Sequence, residues 1–207
     1  MNGAIGNILI SRSVVLVGLM GSGKSTVGRR LAKRLGMNFV DADEVIEEAA
    51  GLSINDIFEV HGEKAFRDGE RRVILRLLSN MPHVIATGGG AFMDIETRKN
   101  IKSKAISVWL RADLDILFSR IKHRNNRPLL RVKNKKEVLG ALAKERYPIY
   151  AKADIIIDSH DCPQNETVQK VVESLTEFLE HEENYSKLQD SQVDRRRSSE
   201  WTKKLDR

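Results

Sequence analysis

The feature that most constrains this chain is the stretch 18–26, GLMGSGKST, which follows the apolar run 14–17. It matches the phosphate-binding loop (P-loop) pattern G-x-x-x-x-G-K-[ST], in which backbone N–H groups surround a phosphate while lysine and hydroxyl reach the phosphates and Mg²⁺. Apolar residues at positions 27, 31 and 35 predict a helix directly behind it. A glycine-rich turn that binds nothing is the alternative, but it would have no use for lysine and serine at this spacing. The stretch therefore predicts a nucleotide-phosphate site.

The order of apolar segments predicts the fold class. We predict strands at about 14–17, 37–40, 83–87, 105–110 and 153–157, and helices at about 27–35, 44–50, 53–58, 63–78, 94–101, 113–121, 135–146 and 167–179. Pro148 is expected to break the helix before it. Strands that alternate with helices favour a parallel sheet covered on both faces, so the predicted class is α/β.

Composition narrows the partners. The 207 residues suit one α/β domain, and the net charge of +6 comes from 35 basic and 29 acidic residues that are mostly interspersed. No nucleic-acid-binding motif accompanies the excess, so we expect no nucleic acid partner and assign the charge to anionic small molecules and solubility. The single cysteine, Cys162, excludes an internal disulfide and a cysteine-based zinc site, which fits a reducing compartment.

The two ends of the chain differ from its centre. Residues 1–12 form a leader without a basic region ahead of an apolar core, and Arg12 interrupts the apolar run before it could span a membrane, so we expect a cytoplasmic protein with no membrane contact. Residues 182–207 are polar and carry both charge signs, including the arginine run 195–197. We expect a disordered or loosely docked tail here, with a nucleic-acid-binding arm as the alternative.

Two carboxylates follow the second predicted strand. Many P-loop proteins complete their metal site with an aspartate after a later strand, but the third strand here runs into glycines. Asp41 and Asp43 face the same crevice as the P-loop in a doubly wound sheet. One could bind Mg²⁺ and the other receive a substrate hydroxyl, or the pair could simply cap the next helix.

A triglycine run and two arginines complete the candidates. Gly88-Gly89-Gly90 ends the third strand and either lets something approach the backbone closely or makes a sharp turn. Arg67 and Arg146 each have a planar fork suited to a carboxylate, although each taken singly could be a solvated surface residue. Their spacing in sequence does not bring them together.

Six motifs in this order resemble one known family. GLMGSGKST, FVDADEVIE, IFEVHGEKAFRDGE, TGGGAF, RNNRPLL and KERYPIY, spread over about 12–180, together resemble shikimate kinase, of the nucleoside-monophosphate-kinase-like P-loop fold. The resemblance implies a three-layer α/β/α fold with a central five-stranded parallel sheet. It also implies a kinase domain at 13–181, with a substrate-binding helical segment at about 43–73 and a mobile lid at about 122–134.

The resemblance also implies roles for single residues. The ATP phosphates would be held by Gly21, Ser22, Gly23, Lys24, Ser25 and Thr26, with Mg²⁺ at Ser25 and Asp41; the adenine would lie by Arg120 and, less directly, the loop around Pro163. Shikimate would be bound by Asp43, Phe66, Arg67, Gly88, Gly89, Gly90 and Arg146. Lys24, Asp43 and the lid arginine Arg127 would be the catalytic residues.

The activity that the resemblance implies is ATP- and Mg²⁺-dependent phosphorylation of the 3-hydroxyl of shikimate, on the route to chorismate and the aromatic amino acids, by a monomer. A gluconate-type kinase is the alternative in the same class. A nucleotide-binding regulator without turnover is the alternative in another class, but the guanine-reading Asn-Lys-x-Asp segment is absent. Gly69 lies within the predicted substrate helix, and because glycine costs about 1 kcal/mol relative to alanine there, we expect a looser helix.

Overall fold

The computed structural model describes residues 11–121, 134–159 and 163–205, with side chains described as far as 185 and at 187. The strands are β1 (Ser13–Val17), β2 (Asn38–Asp41), β3 (His83–Ala86), β4 (Ala105–Arg111) and β5 (Ile155–Asp158). The helices are α1 (Lys24–Leu35), α2 (Ala42–Ala50), α3 (Ile54–Leu78), α4 (Ile95–Lys104), α5 (Leu114–Ile121), α6 (Lys135–Tyr150) and α7 (Gln164–Leu205), with a 3₁₀ turn at Ala91–Met93. Nearly all of the predicted leader and lid lies outside the described residues.

The five strands form one parallel sheet in the order β2-β3-β1-β4-β5, which confirms the predicted sheet. β1 is central, and its residues Val14 to Val17 are at most 1% exposed, as expected of a strand covered on both faces. In the register, Ala86 of β3 lies opposite both Leu16 and Asp41. The carboxyl ends of β1, β2 and β3 therefore meet at one edge of the sheet, which positions the P-loop, Asp41 and the triglycine run side by side.

Helix α3 confirms the predicted break between two helical segments. Gly62 has φ 79° and ψ 169°, which is not helical, so the 25 residues consist of two helices joined at a kink. Left-handed values of φ are accessible to glycine at little cost, which explains the residue at this position. The longer arm carries Arg67 towards the triglycine run and remains helical through Gly69.

Helix α6 continues past Pro148, so the prediction that this proline breaks the helix is wrong. The helix ends at Tyr150, and the N–H of Ala151 donates to the carbonyl of Tyr147 at 2.9 Å. Proline removes a single N–H donor, and this one lies in the last turn, where little helix remains to be disrupted. The consequence is that Arg146 and Tyr150 lie one turn apart on the same face of α6.

The chain divides into two compact units, one up to Val171 and one from Val172 onwards. The backbone of α7 is helical to Leu205, whereas the sequence predicts that the last helix ends at Leu179 and that a disordered or loosely docked tail begins at 182. Residues 164–205 contain neither glycine nor proline, so nothing interrupts a helix there, and the pair Lys187–Glu183 supports it at i,i+4 with 2.7 Å between Nζ and Oε1. None of the helices in the described parts of the chain is long and apolar enough to cross a membrane.

Candidate active site

The P-loop connects β1 to α1 through three glycines that have positive φ. Gly18, Gly21 and Gly23 have φ values of 142°, 85° and 93°. At Gly18 there is also no room for a side chain, because an added Cβ would lie 2.8 Å from the carbonyl oxygen of Leu110. Helix α1 begins at Lys24, three residues earlier than predicted, and has no acidic residue in its first turn. Its free N–H groups and its dipole therefore face the loop and favour an anion there.

Lys24 lies across the P-loop. Its Nζ donates to the carbonyl oxygens of Gly18 at 2.8 Å and Leu19 at 3.0 Å. The side chain borders a cleft of about 500 Å³, which is also lined by Gly21, Gly23, Ser25, Thr26, Asp41, Asp43, Glu44, Arg120 and Gln164. Of the seven residues predicted to bind ATP or the metal through the loop and the second strand, six therefore line one cleft, and Ser22 does not.

Asp41 uses its two carboxylate oxygens for two different contacts. Oδ2 accepts a hydrogen bond from the Ser25 hydroxyl at 2.7 Å, and Oδ1 accepts one from the backbone N–H of Asp43 at 3.1 Å, which caps α2. The helix-cap interpretation of the carboxylate pair therefore holds for Asp41, and its predicted role in binding Mg²⁺ stays a prediction. A hydroxyl and a carboxylate are hard oxygen ligands at the edge of the cleft, and this set fits Mg²⁺, which keeps several waters.

Three residues at or near the cleft show where the structure agrees with the predicted ATP site and where it differs. The side chain of Ser22 is 1% exposed and points to the interior beside Gly18, while its N–H donates to the Leu19 carbonyl at 3.2 Å, so no part of its side chain lines the cleft. Arg120, which is predicted to lie by the adenine, borders the cleft, and its Nη1 lies 3.4 Å from the carbonyl oxygen of Gly21. Gln164, which was not predicted from the sequence, also borders the cleft, and its buried Oε1 has no hydrogen-bond partner among the described residues.

A second cavity adjoins the first between α3, α6 and the triglycine run. Its walls contain every residue predicted to bind the acceptor: Asp43, Phe66, Arg67, Gly88, Gly89, Gly90 and Arg146. Lys24 and Asp43 line both cavities, so the phosphate loop and the acceptor cavity share a boundary. The fold thus brings together two arginines whose sequence spacing says nothing about their distance.

Arg67 is held by two carboxylates of its own helix. Its Nη1 donates to Glu70 Oε2 at 2.7 Å and its Nη2 to Glu63 Oε1 at 3.2 Å, and the guanidinium lies 5.1 Å from the centre of the Phe66 ring. Partial burial by itself would lower the pKa of Arg67, but the charges and hydrogen bonds of Glu70 and Glu63 outweigh it and raise the pKa. Glu70 is 3% exposed and was missed in the sequence, although its i,i+3 spacing from Arg67 is a usable signal.

Arg146 enters the cavity from α6. The residue is 7% exposed, and its Nε is buried without a hydrogen-bond partner among the described residues. Burying an unsatisfied donor of a cation is destabilising unless a ligand supplies an acceptor. Tyr150, one turn further along α6, donates its hydroxyl to the carbonyl of Gly89. Tyr150 ends the KERYPIY motif, but no role for it was predicted from the sequence.

The triglycine run is a place of close approach, but the groups that approach it belong to the protein. A Cβ added to Gly88 would lie 2.7 Å from Glu70 Oε1 and 2.8 Å from Asp43 Oδ1, and one added to Gly90 would lie 2.4 Å from Arg67 Nη1. The run also turns into the 3₁₀ helix, so the sharp-turn interpretation holds as well. Arg127 and most of the loop before Pro163 lie outside the described residues, so their predicted roles stay predictions.

A family model described as shikimate kinase matches residues 20–176 of this chain. The chain belongs to the shikimate kinase family. A shikimate kinase of Paramagnetospirillum magneticum is 56% identical over 173 residues, which is 84% of this chain and 89% of that protein. A shikimate kinase of Rhodopseudomonas palustris is 54% identical over 168 residues, which is 81% of this chain and 83% of that protein.

Solved structures agree with this family membership. The shikimate kinase of Acinetobacter baumannii in complex with shikimate has a TM-score of 0.79 and 37% identity, covering 81% of this chain and 94% of that one. A gluconokinase of Sinorhizobium meliloti, at 21% identity and a TM-score of 0.53, shares the fold. The predicted three-layer P-loop kinase fold is confirmed, and as a member of the shikimate kinase family the chain is an ATP-dependent kinase.

Proposed function

We propose that this chain transfers the γ-phosphoryl group of ATP to the 3-hydroxyl of shikimate, giving shikimate 3-phosphate and ADP on the route to chorismate and the aromatic amino acids. The observation that carries the proposal is the shared boundary of the two cavities at Lys24 and Asp43. One cavity is bordered by the P-loop and the first residues of α1, and the other has two arginines that could bind a carboxylate. A donor and an acceptor bound in this way would meet at these two residues.

The donor half would be formed by the P-loop. Backbone groups at Gly21 and Gly23 and the side chains of Lys24 and Thr26 would surround the phosphates, in keeping with their positions on the cleft. Ser25 and Asp41 would hold Mg²⁺, which would supply charge neutralisation at the phosphates when bound. Arg120 and Gln164 would lie along the nucleoside, and Arg127 would approach the phosphates from the lid.

The acceptor half would be formed by α3, α6 and the triglycine run. Arg67 and Arg146 would each present N–H groups to the shikimate carboxylate, in the charge-assisted geometry for which guanidinium groups are suited. Phe66 would pack against the ring, and Gly88 to Gly90 would leave space beside it. Asp43, which is 7% exposed, would accept a hydrogen bond from the attacking hydroxyl and orient it towards the phosphate site.

Phosphoryl transfer does not require a strong general base. Phosphoryl transfer passes through a loose transition state, so the protein contributes chiefly by aligning the two substrates and by neutralising charge on the transferred group. Lys24 would supply a cation at that point, and Asp43 would receive the hydroxyl proton once the new O–P bond forms. We further propose that the enzyme is a cytoplasmic monomer that uses neither nucleic acid nor membrane as a partner.

The proposal is tested by measuring ADP release with shikimate, gluconate and nucleoside monophosphates as acceptors. We expect turnover with shikimate well above the rate without acceptor, and mass spectrometry of the product should show a single added phosphoryl group. Turnover with gluconate instead would favour the alternative kinase. ATP binding without turnover on any acceptor would favour the nucleotide-binding regulator.

Lys24→Ala tests the phosphate role. We expect a loss of turnover of at least about 100-fold, because a cation next to the transferring group is removed. Lys99→Ala is the matched control, since Lys99 is exposed and pairs only with Glu96 at 2.9 Å in the described contacts. Circular dichroism should show both variants folded, and near-normal activity of Lys24→Ala would contradict the assignment.

A further inference from the structure

A buried tyrosine stands behind the acceptor cavity. Tyr150 is the last residue of α6 and is 0% exposed. The centre of its ring lies 5.8 Å from that of Trp109 and 6.5 Å from that of Phe92. A phenylalanine ring would make the same packing contacts, so burial in this aromatic cluster does not account for the hydroxyl group.

The hydroxyl of Tyr150 connects two parts of the acceptor cavity. It donates a hydrogen bond to the backbone carbonyl of Gly89, and the guanidinium of Arg146 interacts with the same oxygen. Both partners line the acceptor cavity, whereas Tyr150 itself does not. Burial raises the pKa of Tyr150 to about 12, with the charge of Arg146 acting in the opposite direction, so the hydroxyl keeps its proton at neutral pH.

We propose that Tyr150 is a positioning residue for the carboxylate subsite: its hydroxyl holds the carbonyl of Gly89 and the guanidinium of Arg146 in one fixed arrangement. Gly89 follows β3 and Arg146 belongs to α6, so a single buried oxygen ties together two elements that come from distant parts of the chain. The proposal rests on the proposed function, because it requires that Arg146 bind the acceptor carboxylate. Tyr150 touches no reacting atom and is not a catalytic residue.

The consequence of losing this oxygen falls on the acceptor alone. Without it the Gly89 carbonyl loses its donor, and the Arg146 side chain can occupy more rotamers, so binding of the acceptor has to order that side chain again. The P-loop contacts of Lys24 and the Ser25–Asp41 hydrogen bond do not involve Tyr150. Binding of ATP should therefore be unaffected.

The test compares Tyr150→Phe with Tyr147→Phe in the full chain. Tyr147 also packs against Trp109, at 5.0 Å between ring centres, but its hydroxyl donates to the Ala112 carbonyl at 2.9 Å and not to Gly89. We expect Tyr150→Phe to raise the KM for shikimate about tenfold, the effect of one well-formed buried hydrogen bond. The KM for ATP should change less than about twofold, as should both KM values in the control. KM does not depend on the amount of folded enzyme, so partial misfolding cannot imitate this result.

A double-mutant comparison tests whether Tyr150 acts through Arg146. The affinity for shikimate is measured by calorimetry in four proteins: the wild type, Tyr150→Phe, Arg146→Lys and the double variant. We expect the effect of Tyr150→Phe to shrink from about tenfold to below about twofold, because lysine lacks the planar fork that the tyrosine orients.

Several outcomes would overturn the inference alone. In the kinetic test, these are an unchanged KM for shikimate in active Tyr150→Phe, an equal rise in the KM for ATP, equal effects of the two tyrosine variants, or complete inactivity of Tyr150→Phe. In the double-mutant test, the contradicting outcome is that the effects of Tyr150→Phe and Arg146→Lys add. Absence of shikimate turnover in the unmodified enzyme would overturn the proposed function and this inference together. The two failures are therefore distinguishable.

Discussion

At the scale of single residues, Arg67 lines the acceptor cavity while its guanidinium already binds two carboxylates of the protein. Its contacts with Glu70 and Glu63 fix the orientation of the guanidinium towards the cavity, and they also neutralise part of its charge. An acceptor carboxylate would therefore gain a pre-oriented partner and meet a weakened positive field. Because Glu70 is buried in the wall of the same cavity, removal of Arg67 also leaves a carboxylate there without the Arg67 ion pair.

We expect Arg67→Ala to raise the KM for shikimate by about 10–100-fold, because a charge-assisted contact is lost and the charge of Glu70 then opposes the acceptor. The KM for ATP should change far less. Steady-state kinetics with each substrate varied in turn provides the measurement. The control is Arg72→Ala: Arg72 lies on the same helix, and its Nε donates to the backbone carbonyl of Asp68 at 3.3 Å. Similar losses for both substrates would indicate a folding defect.

Tyr150 predicts a change of stability with pH. The pKa of this tyrosine is raised from 10.0 in the reference state to about 12 in the fold, so the unfolded chain releases the proton first. Stability is therefore lost as the pH rises above 10. Between pH 9 and pH 11, the wild type should lose about 1 kcal/mol more of its unfolding free energy than Tyr150→Phe. Urea unfolding at the two pH values measures the difference, and parallel losses would contradict the prediction.

At the scale of elements, the two glycines of α3 have opposite roles. Gly62 has positive φ at the kink, whereas Gly69 has helical geometry, and an added Cβ would meet nothing within 4 Å at either position. The kink is needed to separate the two helical arms. The helix is intact at Gly69. The glycine therefore lowers the helix propensity of this segment without interrupting the helix.

We expect Gly69→Ala to raise the unfolding free energy by about 1 kcal/mol, because alanine loses less backbone entropy in a helix. Gly62→Ala should instead lower it by about 1 kcal/mol or more, because alanine is strained at positive φ. Urea unfolding of the two variants separates the two cases. Destabilisation by Gly69→Ala would mean that the helix requires the glycine for a reason other than its propensity.

The elements also show what local sequence can and cannot predict. The P-loop, the five parallel strands and the α3 break were predictable, because glycines, β-branched runs and helical periodicity act locally. The continuation of α6 through Pro148 was not, because the cost of a proline depends on how much helix follows it. Glu70 and Tyr150 were missed because they bind protein groups at the site, and their importance depends on which distant elements they meet.

At the scale of the whole molecule, the match to the family covers residues 20–176, and the second compact unit begins at Val172. Most of that unit therefore lies beyond the part of the chain that the family model describes. Its backbone is a helix to Leu205, although the sequence from 182 onwards is polar. The predicted domain boundary at 181 stays a prediction.

We expect truncation after Glu182 to leave kcat and both KM values unchanged, and to change the unfolding free energy by less than about 0.5 kcal/mol, since exposed polar segments contribute little to a core. Kinetics and urea unfolding of the truncated and full chains provide the comparison. A marked loss of either activity or stability would show that the tail serves the kinase domain.

The crowding at the triglycine run sets a limit on how this enzyme could be redesigned. Gly88 and Gly90 already have the side chains of Glu70, Asp43 and Arg67 where a methyl group would go. Any side chain added at Gly88 or Gly90 would collide with these three residues before it reached a molecule bound in the cavity. A search for variants that accept a different hydroxy acid should therefore diversify α3 and α6 and leave these glycines untouched.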